Sequence, residues 1–420
     1  MRKSIERGWT RMDADTVENP RPSALIRVLT HWLDWLPIGL ACLFALDRLW
    51  KLAAVVHFFR RPAPPPPATG WPTVTILSPI TRGASNLPHV LACRGRLHYA
   101  GVVQQLLICD AADAESQQVC AAWLATQPAA HHQLIRVSAA RPIATKIEKL
   151  NAALPYATGE VLCFVDDDVA LRPASLTTLL PYLYTQGAGA VFGLACYTAW
   201  HNLPTSLMSS FVNSNALLSY IPLCYLTPPF TITGHCFALR RAIFDAAGGF
   251  TDMADRLDDD HELARRVRAL GQRVVQTPLI YDVENHFASF TAYATQMKRW
   301  FVFPQQMMMP TMSRRELAVM AFGSLNQLLL PLLALLALLT GRRRARRAFG
   351  SSALLFTLVN GLCEWLYLDH LTPPRWWPLA LISALITPLQ IVAAMLGRSE
   401  VIWRGQRLRV HKGGGFEDVE

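Results

Sequence analysis

The sequence predicts an α/β protein, a mostly parallel β-sheet flanked by helices, with membrane-spanning helices at both ends. Three observations lead there. Between Trp71 and about Arg299, short β-branched or apolar runs alternate with helical stretches, the pattern of a parallel sheet covered on both faces. On either side lie long apolar segments, and a bilayer crossing needs roughly 20 residues. Of the 420 residues, 52% are hydrophobic and 17% charged, against roughly 45–50% and 25% in ordinary soluble domains.

Along the chain, residues 1–35 form a polar, charged tail in which no cleavable signal peptide is expected. Residues 36–59 read as a transmembrane helix, although Asp47, Arg48 and Lys51 interrupt it. Such charges are costly in lipid, so a buried or interfacial amphipathic helix is the other reading. Residues 60–70 hold Arg60, Arg61 and the run Pro62 to Pro67, a stiff extended linker. Residues 71–300 form the soluble domain. Its strands include 74–77, 105–109 and 161–165, and its helices 87–97 and 116–126. Residues 301–315, rich in Phe and Met with Pro304 and Pro310, suit an amphipathic interface segment.

Residues 316–397 supply the C-terminal membrane helices, in apolar stretches 317–340, 351–368 and 376–396. Trp365, Tyr367, Trp376 and Trp377 would form an interfacial aromatic belt. Residues 398–420 read as a basic cytosolic tail. The positive-inside rule puts that tail and the Arg342–Arg347 cluster in the cytosol. A cytosolic domain then requires 317–340 to enter and leave on one side, with Asn326, Gln327 and Pro331 as breaks and Pro331 as the bend. Otherwise this segment crosses and the rule fails there.

The formal charge is +10. The basic residues cluster beside apolar spans, where anionic headgroups explain them and nucleic acid does not. Nine cysteines occur without a CxxC or a Cys/His cluster. That argues against a disulfide framework or structural zinc and for a reducing compartment.

In sheets of this class, ligands sit outside the carboxyl ends of the strands. Asp110 follows one strand and Asp166-Asp167-Asp168 another. Asp166 and Asp168 point the same way, because strand residues alternate faces. They could share a hard divalent ion that neutralises a diphosphate. Alone, such acids are more commonly solvated loop residues.

More motifs follow in order: Lys146-Ile-Glu-Lys-Leu-Asn151, Gly234-His-Cys-Phe-Ala-Leu-Arg-Arg241, Gly248-Gly-Phe250, Leu257-Asp-Asp-Asp260-His-Glu-Leu, and Gln296-Met-Lys-Arg299-Trp300. With these, the chain resembles the inverting, processive-type glycosyltransferases of family 2 and the closely related family 21. It is most similar to ceramide glucosyltransferases and hopanoid-type lipid glycosyltransferases. The resemblance covers most of the chain and implies a GT-A fold and a UDP-sugar donor. It implies that Asp110 contacts uridine, with Ala114 where a proline is usual, and that Asp166 and Asp168 hold Mg2+ or Mn2+. Lys146 stands where the family places a basic residue near the donor, though a surface lysine is an equal reading.

The resemblance makes Asp260 the catalytic aspartate, with Asp259 in place of the usual Glu. Gln296, Arg299 and Trp300 match the Gln-x-x-Arg-Trp motif. Arg299 would meet the departing diphosphate, and Trp300 would pack over the sugar or the acceptor. Gly234 and His235 would border the acceptor pocket. The segment Trp403-Arg404-Gly-Gln-Arg407-Leu408 resembles the family's tail motif, with Leu408 where Tyr is usual. Asp260 is the expected general base, since one carboxylate must take the acceptor hydroxyl's proton. Repulsion from Asp258 and Asp259 should raise the pKa of at least one of the three. The acids also suit a helix N-terminus, where the dipole favours them.

The function implied is inverting transfer of a sugar from a UDP-sugar to a membrane lipid, with glucose and ceramide as the favoured pair. The protein would be integral to the bacterial inner membrane, or to the Golgi membrane in a eukaryote, with a cytosol-facing catalytic domain. A processive polysaccharide synthase is one alternative, but such synthases usually have more spans. A polyprenyl-phosphate sugar transferase is another, but those relatives usually lack Gln-x-x-Arg-Trp.

Overall fold

A computed structural model describes residues 24–128, 131–138, 145–254, 256–403 and 406–419. The first 23 residues of the polar tail and Arg404 of the tail motif lie outside the described residues.

An eight-stranded sheet fills the middle of the chain. Its strands are β1 (Val74–Pro79), β2 (Val103–Asp110), β3 (His132–Val137), β4 (Val161–Val165), β5 (Val169–Ala170), β6 (Ala188–Tyr197), β7 (Cys236–Arg240) and β8 (Arg273–Val283). They lie in the order β3-β2-β1-β4-β7-β6-β8-β5. The pairs β3–β2, β2–β1, β1–β4 and β6–β8 are parallel, while β7 runs antiparallel to both its neighbours. The three expected strands are present, each at or slightly beyond its expected bounds. All of β4 is buried, and its side chains alternate between two cores. Val161, Cys163 and Val165 enter one cluster, and Leu162 and Phe164 the other. Burial on both faces is why this strand is an unbroken apolar run.

The helices are α1 (Ala24–Arg60), α2 (Leu87–Arg94), α3 (Ala114–Leu124), α4 (Thr145–Ala153), α5 (Ser175–Leu179), α6 (Leu203–Asn215), α7 (Ile221–Leu226), α8 (Arg241–Ala246), α9 (Asp259–Ala269), α10 (Phe290–Phe303), α11 (Arg314–Gln327), α12 (Leu329–Thr340), α13 (Arg343–Cys363) and α14 (Pro378–Leu396). Asp113 caps α3 by accepting from Ser116 N at 3.0 Å, which satisfies one of the orphan donors of a helix start.

The expected first span lies within the longer α1, which begins at Ala24 rather than Leu36. The charges that interrupt it are buried and paired with one another. Asp47 Oδ2 meets Arg48 Nη2 at 2.6 Å and Lys51 Nζ at 3.1 Å. Arg48 also stands over the rings of Phe44 and Phe356.

Two C-terminal helical stretches, Arg343–Leu368 and Pro374–Leu396, are long and apolar enough to cross a membrane. The segment expected as a single apolar stretch, 317–340, is two helices broken at Leu328. The break precedes Pro331 because proline is tolerated in the first turn of a helix but offers no N–H to the residue four before it. The 12 residues of α12 span about 18 Å, short of the roughly 30 Å core of a bilayer.

Within the basic tail expected over 398–420, the described residues are folded. They form an antiparallel sheet of β9 (Glu400–Trp403), β10 (Gln406–Val410) and β11 (Phe416–Asp418). Val401, Leu408 and Val410 pack with Leu257 of the soluble domain and with Val302 and Met307 of the segment that follows it.

Candidate active site

Topology gathers the acids. The carboxyl ends of β1, β2 and β4 lie along one edge, and because β7 runs the other way its amino end joins them. Val165 is in register with Cys236, and Asp166 N donates to His235 O at 2.9 Å. Gly234 and His235 therefore stand beside Asp166.

The three acids after β4 separate in role. Asp167 is buried and turns back to the loop after β1. It accepts from Arg82 N at 2.7 Å and from Arg82 Nη1 at 2.9 Å, and also from Thr81 N. Asp166 Oδ1 lies 3.1 Å from Lys146 Nζ. Burial works against its ionisation, but Lys146 and Arg82 prevail and hold its carboxyl below the ordinary range. Asp168 is 3% exposed, and neither carboxylate oxygen accepts a hydrogen bond. Arg82 Nη1 approaches Oδ1 at 3.0 Å as a charge contact only. Burial pushes the pKa of Asp168 up. A buried carboxylate with unfilled acceptor sites suits a cation.

Lys146 joins the two halves of the site. Its Nζ lies 3.1 Å from Asp166 Oδ1 and 3.1 Å from Asp259 Oδ2, and donates to Gly234 O at 3.3 Å. Burial disfavours the ammonium, but Asp166, Asp259 and Asp260 outweigh it and raise its pKa. The reading of Lys146 as a surface residue is set aside by these contacts.

Asp259 and Asp260 occupy the first turn of α9, where the helix dipole favours acids. Asp258 just precedes them. It is held by Arg256, whose Nε and Nη2 donate to its two oxygens at 3.0 and 2.9 Å. Burial lifts Asp258 to about 6. Asp260 Oδ1 accepts from His261 N at 2.8 Å. Burial first, and the charge of Asp259 second, push Asp260 up to about 7, with Lys146 opposing. The absence of a side chain at Gly234 makes room for Asp260, since a Cβ there would lie 2.9 Å from Oδ2.

His235 Nε2 and Tyr197 Oη are 3.5 Å apart, and burial lowers the pKa of the imidazole. On α10, Trp300 stacks on Phe211 with centroids 6.2 Å apart. The Arg299 guanidinium lies 4.5 Å from the Trp403 ring centre, and its charge reaches Tyr197. Gln296 is half-buried on the same helix. Asp110 lies at the end of β2, its Oδ1 accepting from Ala112 N at 3.0 Å, and among the described contacts it is not joined to the acid cluster.

Sequence reasoning missed three residues here: Arg82, Arg256 and Gly414. Arg82 follows β1, and the strand-end rule applied to every strand would have marked it. Gly414 takes φ +103°, and a side chain there would collide with Arg256 and Asp258. An isolated bridge between Arg256 and Gly415 fixes that approach.

This sheet, with acids at the carboxyl end of β4 and at the start of α9, has a GT-A-like fold. The chain belongs to glycosyl transferase family 21, whose model matches residues 35–416. The probable glycosyltransferase YdaM of Bacillus subtilis is 27% identical over 166 residues, and the match covers 37% of each chain. The chain thus spans little more than a third of that relative's length. In fold it is similar to the mannosyltransferase PcManGT of Pyrobaculum calidifontis, solved with GDP-Man and Mn2+. That match has a TM-score of 0.56 and 18% identity, covering 87% of this chain and 99% of the other.

Proposed function

We propose that this glycosyltransferase moves a sugar from a UDP-sugar to a membrane lipid with inversion, with glucose and ceramide as the favoured pair. The observation that carries this reading is Lys146, which ties the Asp-x-Asp of β4 to the acids of α9 across 3.1 Å contacts on each side. One lysine thereby sets the donor side beside the expected base.

Asp260 takes the proton from the acceptor hydroxyl as the oxygen bonds to the anomeric carbon and the bond to the diphosphate breaks. A carboxylate near 7 suits a base working at neutral pH. Lys146 and Arg82 offset the negative charge around the donor, and Arg299, braced by Trp403, faces the leaving group. Asp166 and Asp168 would hold Mg2+ or Mn2+, which when bound offsets charge on the diphosphate. The half-exposed Asp110 would meet uridine, with Gln296 and Trp300 completing the donor pocket. Gly234 and His235 would border the acceptor. The helices 343–368 and 374–396 support a membrane location, with the catalytic domain facing the cytosol.

The test uses purified full-length protein in detergent with a panel of UDP-sugars, Mn2+, and ceramide, diacylglycerol or no acceptor. Mass spectrometry should find one sugar on one lipid. Polymer growth without lipid would replace this reading with a polysaccharide synthase. Asp260→Asn should abolish transfer while retaining UDP binding, and full activity in that variant would sink the base assignment.

A further inference from the structure

The polar residues that interrupt two of the apolar segments meet in space. Arg48 comes from α1, and Asn326 and Gln327 from the end of α11. Together with Phe211, Ser219 and Ser383 they line a partly open cleft between α1, α6, α11, α12, α13 and α14. Polar side chains within apolar spans are costly, and they mark functional sites when they converge.

Three features describe the occupant. First, the surrounding helices turn apolar side chains outward, with Leu46 64%, Leu358 60% and Leu389 70% exposed. A ligand reaching the cleft from that side comes from an apolar phase. Second, the polar lining is chiefly neutral. Asn326 and Gln327 make no side-chain hydrogen bond among the described residues, and amides both donate and accept. Arg48 directs Nε and Nη2 at Asp47, so its fork is already engaged rather than open to a phosphate. Third, the cleft borders the reaction site. Phe211 forms its wall and stacks on Trp300 at 6.2 Å. Ser219 also lines it, and the next residue, Tyr220, lies within electrostatic reach of Asp260.

We propose that this cleft seats the polar backbone of the acceptor, an uncharged lipid bearing hydroxyl and amide groups, and leads its free hydroxyl past Phe211 toward Trp300 and Asp260. The inference rests on the proposed lipid-transfer reading and adds the residues that select the lipid.

The experiment uses the full chain in phosphatidylcholine nanodiscs with a ceramide carrying a photoreactive diazirine and a clickable tag. Crosslinks should fall on the peptides around 211–219, 326–330 and 380–387. Excess unlabelled ceramide should compete, and excess phosphatidylglycerol should not. Equal competition by the phospholipid, or crosslinks confined to the outer helix faces, would overturn the proposal. In parallel, Ala384→Phe, which fills the cleft, should reduce lipid glycosylation at least tenfold while UDP binding persists. Ser383→Val, a smaller change that removes one hydroxyl, should raise KM for ceramide more than it lowers kcat. Normal kcat and KM for ceramide in both variants would refute the cleft and leave lipid transfer standing. If the wild-type protein binds UDP but glycosylates no lipid, the functional reading itself fails.

Discussion

Asp260 is a carboxyl whose surroundings oppose its charge at physiological pH. Burial and the adjacent Asp259 push it to about 7, and Lys146 restrains the rise. As the proposed base it must be deprotonated to work, so activity should rise with pH through this value. At pH 6 about a tenth of the base would be ionised, and kcat/KM should fall accordingly. Asp259→Asn removes a negative neighbour, so the acid limb should move to lower pH. A pH profile of both proteins checks this, and an unmoved limb would remove Asp259 from that role. Gly234→Ala places a Cβ against Asp260 Oδ2. Displacing a reacting group by about 1 Å can cost about 100-fold, so kcat should fall steeply while UDP still binds. The acids were legible in the sequence because strand ends and motif order mark them. Their coupling was not, because Lys146, Asp166 and Asp259 meet only once α4, β4 and α9 are assembled.

The helix α9 and the small sheet β9–β11 form one working unit. Arg256 holds Asp258 just ahead of the helix, and the turn at Gly414 presses on Arg256 without a side chain. Gly414→Ala would strain a residue at φ +103° by about 1–2 kcal/mol and push on Arg256. The expected result is a lower kcat with unchanged UDP affinity, read by steady-state kinetics and calorimetry. Trp403→Ala should likewise lower kcat by loosening Arg299, and Trp403→Phe should restore part of it. Equal kcat in the wild-type and Trp403→Ala proteins would mean that Arg299 needs no such brace. The charge of residues 398–420 and their tail motif point to no strand. The strand signal was present, since Leu408 and Val410 are buried between exposed Arg407 and Arg409. It was hidden because arginine dominates so short a stretch.

Across the molecule, the expected class held: a mostly parallel sheet with helices on both sides. Alternation of strands and helices along the sequence reports that class, because it reflects local hydrophobic periodicity. The sheet order, and above all the reversed β7 between β4 and β6, depends on pairing between distant segments and has no local signature. Pairing also explains the charges in α1. Asp47, Arg48 and Lys51 looked like flaws in a span, yet inside the protein Asp47 pairs with both cations. With 343–368 and 374–396 in a bilayer, the protein should remain in the membrane fraction after alkaline carbonate washing. Release into the supernatant would place those helices in a soluble core.

The position of β9–β11 also sets a schedule. During synthesis the chain acquires Asp166 and then Asp260 well before Trp403 and Gly414 leave the ribosome. The groups that brace Arg299 and Asp258 therefore arrive last. A partly made chain can already gather Lys146, Asp166 and Asp259 but lacks the sheet whose Trp403 and Gly414 stand against Arg299 and Arg256. The contacts of Trp403 and Gly414 with Arg299 and Arg256 can therefore form only when nearly the whole polypeptide is finished, after the two long apolar helices that precede the sheet.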